Sequence, residues 1–226
     1  MTLSRRATAE ALGTAFLLAA VVGSGIMGER LAGGNVAVAL LANTIATGAA
    51  LVALLLAFGP ISGAHLNPAV TLADAWRGAL SWGDVPAYLT AQLTGAVVGV
   101  ATANLMFSEP VFALSQHARH GSGQLLGELV ATFGLLTVIA GTARLRPPTA
   151  VPFAVGAYIT AAYWFTSSTS FANPAVTMAR ALTDTFAGIR PADVPGFVVA
   201  ELLGAAAATA LVRWLVPGGG TSTTRG

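Results

Sequence analysis

The sequence predicts an all-α membrane protein in which six transmembrane helices and two re-entrant half-helices form two inverted three-helix repeats. Three observations carry that expectation. Only 9% of the 226 residues are charged while 55% are hydrophobic, and the mean hydropathy is +0.74; a soluble domain carries roughly 25% charged residues. Six apolar stretches approach or exceed the roughly 20 residues that span a hydrocarbon core. The pentapeptide Asn-Pro-Ala-Val-Thr occurs twice, starting at Asn67 and at Asn173.

The apolar stretches are residues 7–27, 36–58, 86–107, 124–142, 150–167 and 196–216. Arg5 and Arg6 precede the first, in the manner of a cleaved signal, but that run is long and carries Glu10, so a retained span is expected. Each pentapeptide lies between spans, after a segment rich in small and hydroxylated residues. Asn is a preferred N-cap and Pro is tolerated at the first helical position, so Asn67-Pro68-Ala69 and Asn173-Pro174-Ala175 each start a short helix. Segments 61–77 and 166–182 are therefore expected to dip into the membrane and back.

The two halves answer each other beyond the pentapeptide. Ala9-Glu10 in the first span corresponds to Gly127-Glu128 in the fourth, and Gln92 with Gly95 in the third to Glu201 with Gly204 in the sixth. Residues 7–107 form one repeat and 124–216 the other, within a single channel domain. Three spans per half is an odd number, so the second half enters from the opposite side. There is no Lys; cytoplasmic segments would hold Arg5, Arg6, Arg77, Arg144, Arg146, Arg213 and Arg225, against Arg30, Arg119, Arg180 and Arg190 outside. That bias places both termini in the cytoplasm.

Half-helices that start at the midplane leave non-helical backbone there, which is tolerated only along a water-filled path or inside protein. Gly63, Ala64, His65 and Leu66 on one side, with Ser170, Phe171 and Ala172 on the other, are expected to turn carbonyls toward a pore. Two positive dipole ends at the centre repel cations, and the Asn67 and Asn173 amides can donate to a solute oxygen. Glu10 and Glu128, costly inside a span, are expected to accept from loop N–H groups and hold the loops open.

Other chemistry is excluded by the same residues. A net charge of +2 gives no reason to expect a nucleic-acid partner, and the absence of Cys removes disulfides and thiolate ligands. His117 and His120 lack further ligands and are expected to be solvated loop residues rather than a metal site. No nucleophile with a neighbouring base can be assembled, so neither catalysis nor a cofactor is expected. An ion-coupled transporter shares the inverted-repeat architecture, but no acidic residue stands beside the Asn-Pro pairs to bind a coupling ion. Residues 217–226, rich in Gly and Thr, read as a disordered tail.

The run Ser62-Gly63-Ala64-His65-Leu66-Asn67-Pro68-Ala69-Val70-Thr71, with the second Asn-Pro-Ala and the paired Glu-bearing helix starts, resembles the major intrinsic proteins, the aquaporins and aquaglyceroporins. The resemblance implies the aquaporin fold, a homotetramer in the lipid bilayer, and passive passage of water, glycerol or other small neutral solutes. It also places His65 at the cytoplasmic end of the pore as a constriction. Counting as in that family puts the outer selectivity filter at Thr47, Ala161, Ser170 and Val176. The residue after the second Asn-Pro-Ala is normally Arg there, and here it is Val176. A filter without fixed charge or aromatic ring is expected to be wide, suited to polyols and to neutral trivalent arsenicals, namely arsenite and methylated arsenic. The resemblance is to a bacterial branch linked to arsenic resistance, which implies the inner (cytoplasmic) membrane; an ordinary water and glycerol facilitator is the alternative. Arg180, four residues on, shares a helical face with Val176. It is expected either to pair with Asp184 or reach the interface, or to guard the outer mouth.

Overall fold

The computed structural model describes residues 1–215, so the expected tail at 217–226 and the end of the sixth expected span lie outside the described residues. Eight α-helices follow in order: α1 (Leu3–Leu31), α2 (Val36–Ser62), α3 (Pro68–Arg77), α4 (Val85–Met106), α5 (Ser122–Leu145), α6 (Val151–Phe165), α7 (Pro174–Arg180) and α8 (Val194–Leu215). Short 3-10 turns, Pro148–Ala150 and Pro191–Asp193, lead into α6 and α8. Five of the six long helices are long and apolar enough to cross a bilayer. The sixth, α6, has 15 residues and stops at Phe165, where Thr166 turns to an extended conformation.

The half-helices begin as the pentapeptides dictate. Asn67 and Asn173 are both extended, with φ of −159° and −160°, and each side-chain oxygen accepts from backbone N–H groups of its own first turn. The following Pro occupies a position where an N–H would have no partner. Before α3, Gly63 ends α2 in the left-handed conformation at φ 91°, which a residue without Cβ adopts freely. The chain can thus reverse inside the membrane without losing the backbone hydrogen bonds of either helix.

Packing repeats in both halves. Helix α1 lies against α2 and α4, and α5 lies against α6 and α8. Closest approach falls on matched glycines: a Cβ at Gly95 would stand 2.2 Å from the Ala11 carbonyl oxygen, and one at Gly204 would stand 2.4 Å from that of Leu129. Helices α2 and α6 cross where a Cβ at Gly156 would meet the Gly48 carbonyl oxygen at 2.8 Å.

The two apolar cores interlock. One is built from α1 and α4 yet includes Ala175, Val176 and Ala179 of α7. The other is built from α5, α6 and α8 yet includes Ala69, Val70 and Ala73 of α3. Each half-helix is buried in the core of the opposite half, so neither repeat completes its core alone. Outward faces carry exposed apolar side chains such as Phe16, Ile45, Val98, Leu126, Phe153 and Leu203, a surface that requires lipid or another protein to cover it.

Candidate pore

Both re-entrant loops adopt the same unusual backbone. Ala64 and Leu66 have φ of 47° and 49°, and Ser170 and Ala172 have φ of 51° and 49°, so left-handed residues stand three and one positions before each Asn. Such conformations cost on the order of 1–3 kcal/mol each in a residue with a Cβ and persist only where the surroundings impose them. Here two carboxylates do so. Glu10 accepts from the His65 and Leu66 N–H groups at 2.9 and 2.7 Å, and from the Ser62 hydroxyl and Gln92 amide at 2.6 and 2.8 Å. Glu128 accepts from the Phe171 and Ala172 N–H groups at 2.8 and 2.7 Å. Both carboxylates are fully buried.

The two Asn amides also tie the halves together. Asn67 Nδ2 donates to the Ala172 carbonyl and Asn173 Nδ2 to the Leu66 carbonyl, each at 2.8 Å. One N–H of each amide is thus used by the opposite loop, which leaves the other for a solute. It also occupies one of the two lone pairs of each of the Leu66 and Ala172 carbonyls. The carbonyls of Gly63, Ala64 and His65, and of Ser170 and Phe171, receive no hydrogen bond from the described residues.

One cavity of about 120 Å³ runs past both Asn residues, well above the roughly 10–15 Å³ needed to admit a water. Gly63, Ala64, His65, Leu66, Phe171 and Ala172 all line it. Its opposite flank is apolar: Leu51 and Leu55 from α2, Leu135 and Ile139 from α5, and Val155 and Ile159 from α6. Pro68, Ala69, Pro174 and Ala175 are buried behind the wall as the first turns of the half-helices. The path therefore has a polar backbone edge and an aliphatic edge.

Of the four expected filter residues, Thr47, Ser170 and Val176 lie on the cavity and Ala161 does not. Ala161 is exposed on the outer face of α6, in register with Phe153 and Ala157. The inward face of α6 is the series Val151, Val155, Ile159 and Tyr163, spaced four apart, and all four line the cavity. Tyr163, two residues beyond Ala161 on the inward face, puts an aromatic ring on the wall where none was expected. Its hydroxyl donates to Thr47 Oγ1 at 3.3 Å. Ser170 Oγ is buried with no hydrogen-bond partner among the described residues, which leaves it free for a solute.

The ends of the cavity carry groups that sequence reading placed incompletely. At the end beside α3, His65 Nε2 lies 3.0 Å from Asp74, which also pairs with Arg77, and His65 Nδ1 lies 3.1 Å from the Thr71 hydroxyl. Asp74 lines the cavity, so one acidic residue does reach the path, two turns along α3 from Asn67. The seven-residue spacing, which returns to the same helical face, is the signal that could have found it. At the other end Arg180 is 2% exposed and lines the cavity. It does not pair with Asp184, whose carboxylate instead accepts from the Gln116 N–H at 2.8 Å.

Arg119 comes from the connection between α4 and α5, where no regular pattern points to it. Its guanidinium donates to the Gly188 and Phe186 carbonyls at 2.8 and 3.3 Å, and its backbone N–H to Asp193 at 2.8 Å. Burial pulls the Arg119 side chain below its ordinary pKa, opposed by the nearby Glu128 and Tyr163; an arginine starts so high that it stays cationic. His117 and His120 are exposed, and among the described residues no cluster of three metal-ligating side chains occurs.

Comparisons with known proteins agree with this architecture. A family model described as Major intrinsic protein matches residues 1–166. The chain is 59% identical to aquaglyceroporin AqpS of Rhizobium meliloti (strain 1021), over 95% of this chain and 91% of that one. It is 31% identical to aquaporin Z of Bradyrhizobium diazoefficiens, over 93% of each. The solved structure of the aquaglyceroporin from Plasmodium falciparum superposes with a TM-score of 0.78 at 23% identity, covering 96% of this chain and 98% of that one. The fold, the twin half-helices and these matches together establish that the chain belongs to the major intrinsic protein family, multi-pass membrane channels rather than enzymes.

Proposed function

We propose that this protein is a passive channel for water and small neutral polyols such as glycerol, and that neutral trivalent arsenicals take the same path. The carrying observation is Val176. An apolar side chain lines the cavity directly after the second Asn-Pro-Ala, beside a Ser170 hydroxyl with no partner among the described residues. The path at that level holds hydrogen-bonding groups and apolar surface without a charge from that position. A polyol presents one hydroxylated and one hydrocarbon edge, which matches the backbone edge and the Leu51, Leu55 and Ile159 edge of the cavity. The trihydroxide of trivalent arsenic is likewise neutral, compact and hydroxylated. Tyr163 makes the opening narrower than an Ala at the same place would, but its hydroxyl is occupied by Thr47 and presents ring surface. The name aquaglyceroporin, borne by the relative at 59% identity, supports the polyol reading.

The same reading places the chain as a tetramer in a bacterial cytoplasmic membrane with both termini inside, with Glu10 and Glu128 holding the loops and His65 narrowing the inner end. Proteoliposomes provide the test. Reswelling in a glycerol gradient, at a rate at least tenfold above protein-free vesicles, together with arsenic accumulation after exposure to arsenous acid, is the expected result. Vesicles that shrink in sucrose but never reswell in glycerol would show a water-only pore and overturn the proposal. Glycerol passage without arsenic accumulation would restrict it to polyols.

A further inference from the structure

The two half-helices present matched residues to the cavity. On α3 these are Asn67, Val70 and Asp74; on α7 they are Asn173, Val176 and Arg180. Asp74 and Arg180 stand at the same step of the repeat, seven residues after their Asn, and carry opposite charges. Asp74 is compensated by Arg77 and by His65. Arg180 takes part in no ion pair among the described residues. Its Nε donates to the Ala187 carbonyl, and its guanidinium carbon sits 3.4 Å from the Phe171 ring centroid. The two terminal nitrogens meet no protein acceptor among the described residues, although the side chain is 2% exposed and lines the cavity.

Phe171 is itself held from both directions. Its N–H is bound by Glu128, its ring meets Phe197 edge-on at 5.3 Å, and the Arg119 guanidinium lies 5.0 Å from the ring centroid. Arg119 is in turn fixed by the Gly188 and Phe186 carbonyls and by Thr169 Oγ1 at 3.4 Å. Among the described residues no carboxylate pairs directly with either guanidinium: Glu128 accepts from the loop N–H groups, Glu201 from Asn173 and Thr177, Asp193 from Arg190 and the Arg119 N–H, and Asp184 from Gln116.

We infer that Arg180, stacked on Phe171 and backed by Arg119, is the specificity-determining cation of this pore, one helical turn outward of the position that Val176 leaves uncharged. A guanidinium is a donor at every nitrogen and never an acceptor. Locked by its Nε bond and by the ring, it offers its two free nitrogens to the oxygens of a neutral hydroxylated solute and repels metal cations and hydronium. Stacking on an aromatic face supplies attraction without consuming those donors. Displacing the charge from residue 176 to residue 180 widens the path at Val176 and keeps cations out. The half-helix dipoles oppose cations at the midplane, and Arg180 adds a full charge at the outer end.

This inference rests on the channel proposed above, and the experiment separates the two. Purified wild type, Arg180→Gln, Arg180→Lys and Arg119→Ala are reconstituted, with monodisperse elution as the folding control. Glycerol flux is followed by light scattering, K⁺ current in planar bilayers, and proton entry by an internal pH dye. Wild type is expected to pass glycerol and no K⁺. Arg180→Gln is expected to lower glycerol flux, since the fork is lost, and to raise K⁺ or proton leak at least tenfold. Arg180→Lys should stay tight to cations while losing glycerol rate, because it keeps the charge and loses the fork. Arg119→Ala should leak less than Arg180→Gln. Should Arg180→Gln fail to elute as a folded species, the Arg180→Gln/Val176→Arg double variant and Phe171→Leu replace it, the first expected to be tight and the second leaky. Glycerol flux in wild type with no added leak in Arg180→Gln would overturn the inference and leave the channel standing. Absence of glycerol flux in wild type would overturn the channel itself.

Discussion

The two halves of this protein build the same backbone and decorate it differently. Both loops place left-handed residues three and one positions before an Asn, both are held by a buried Glu, and each Asn amide donates to the opposite loop at 2.8 Å. The differences lie in the side chains around that frame. Asp74, paired with Arg77 and His65, lines one end of the cavity, whereas Arg180, in no ion pair among the described residues, lines the other. Gln92 donates to Glu10 and to Thr71 at 2.8 and 2.9 Å, whereas its counterpart Glu201 accepts from Asn173 N–H and from Thr177 at 3.1 and 2.5 Å. The shared part fixes the loop backbone beside the cavity, and the unshared part sets the charged groups at its two ends. The family match ends at residue 166, just before the second loop, the segment that carries Ser170, Val176 and Arg180.

The largest expected effects break the shared frame. Glu10→Ala leaves the His65 and Leu66 amides, the Ser62 hydroxyl and the Gln92 amide without their acceptor, and is expected to cost at least about 4 kcal/mol at about 1–3 per orphaned buried donor. Glu128→Ala orphans two amides and should cost about half as much, from about 2 kcal/mol upward, by the same rule. Thermal unfolding in detergent checks the order. A larger loss at Glu128 would mean that the outer loop is held by more than its two amide bonds. Next come the helix crossings: Gly95→Ala and Gly204→Ala drive a methyl into facing backbone oxygens and should each cost about 1–3 kcal/mol. If only one of the pair is destabilising, the packing symmetry of the halves is broken.

Exchanging the third- and sixth-span residues sharpens the comparison further. Gln92→Glu removes the donor to Glu10 and sets a second carboxylate against it, with an expected loss of about 2 kcal/mol. Glu201→Gln supplies a donor where Glu201 Oε2 has no partner among the described residues, and should change stability by less than about 1 kcal/mol. A comparably small effect is expected from Asp74→Asn, whose side chain is 19% exposed. Asn keeps the shape and one acceptor oxygen for Arg77 and His65, so the cost should be about 1 kcal/mol, and glycerol flux should shift by less than about threefold.

Much of the molecule is legible in the sequence because it follows from local chemistry. An Asn-Pro pair starts a helix wherever it falls, and a Glu inside a span must find donors, so the half-helices and the residues that hold them can be read directly. The α6 filter residue could not be reached by counting back from Asn173, since that count assumes a loop length and Ala161 proved to face outward. Four-residue spacing of Val151, Val155, Ile159 and Tyr163 carries the correct face, because bulky apolar side chains alternate there with outward alanines at 157 and 161. Arg119 was illegible for a different reason. Its place is set by hydrogen bonds from an irregular connection to carbonyls about 70 residues away, and no periodicity encodes such contacts. The pairing of Arg180 with Asp184 failed because α7 ends at Arg180, which removes the helical spacing that would have brought the two together.

The central claim is that the path at Val176 is open and uncharged, and glycerol flux through wild type and Val176→Arg, compared in the same proteoliposome preparation, tests it most directly. Val176 is 5% exposed and lines the cavity that Thr47 and Tyr163 also line, so an arginine there is expected to project into the path. Glycerol flux should fall at least tenfold in Val176→Arg while water flux falls far less. Equal glycerol flux in the two proteins would contradict the account, because the narrowest selecting point would then lie elsewhere.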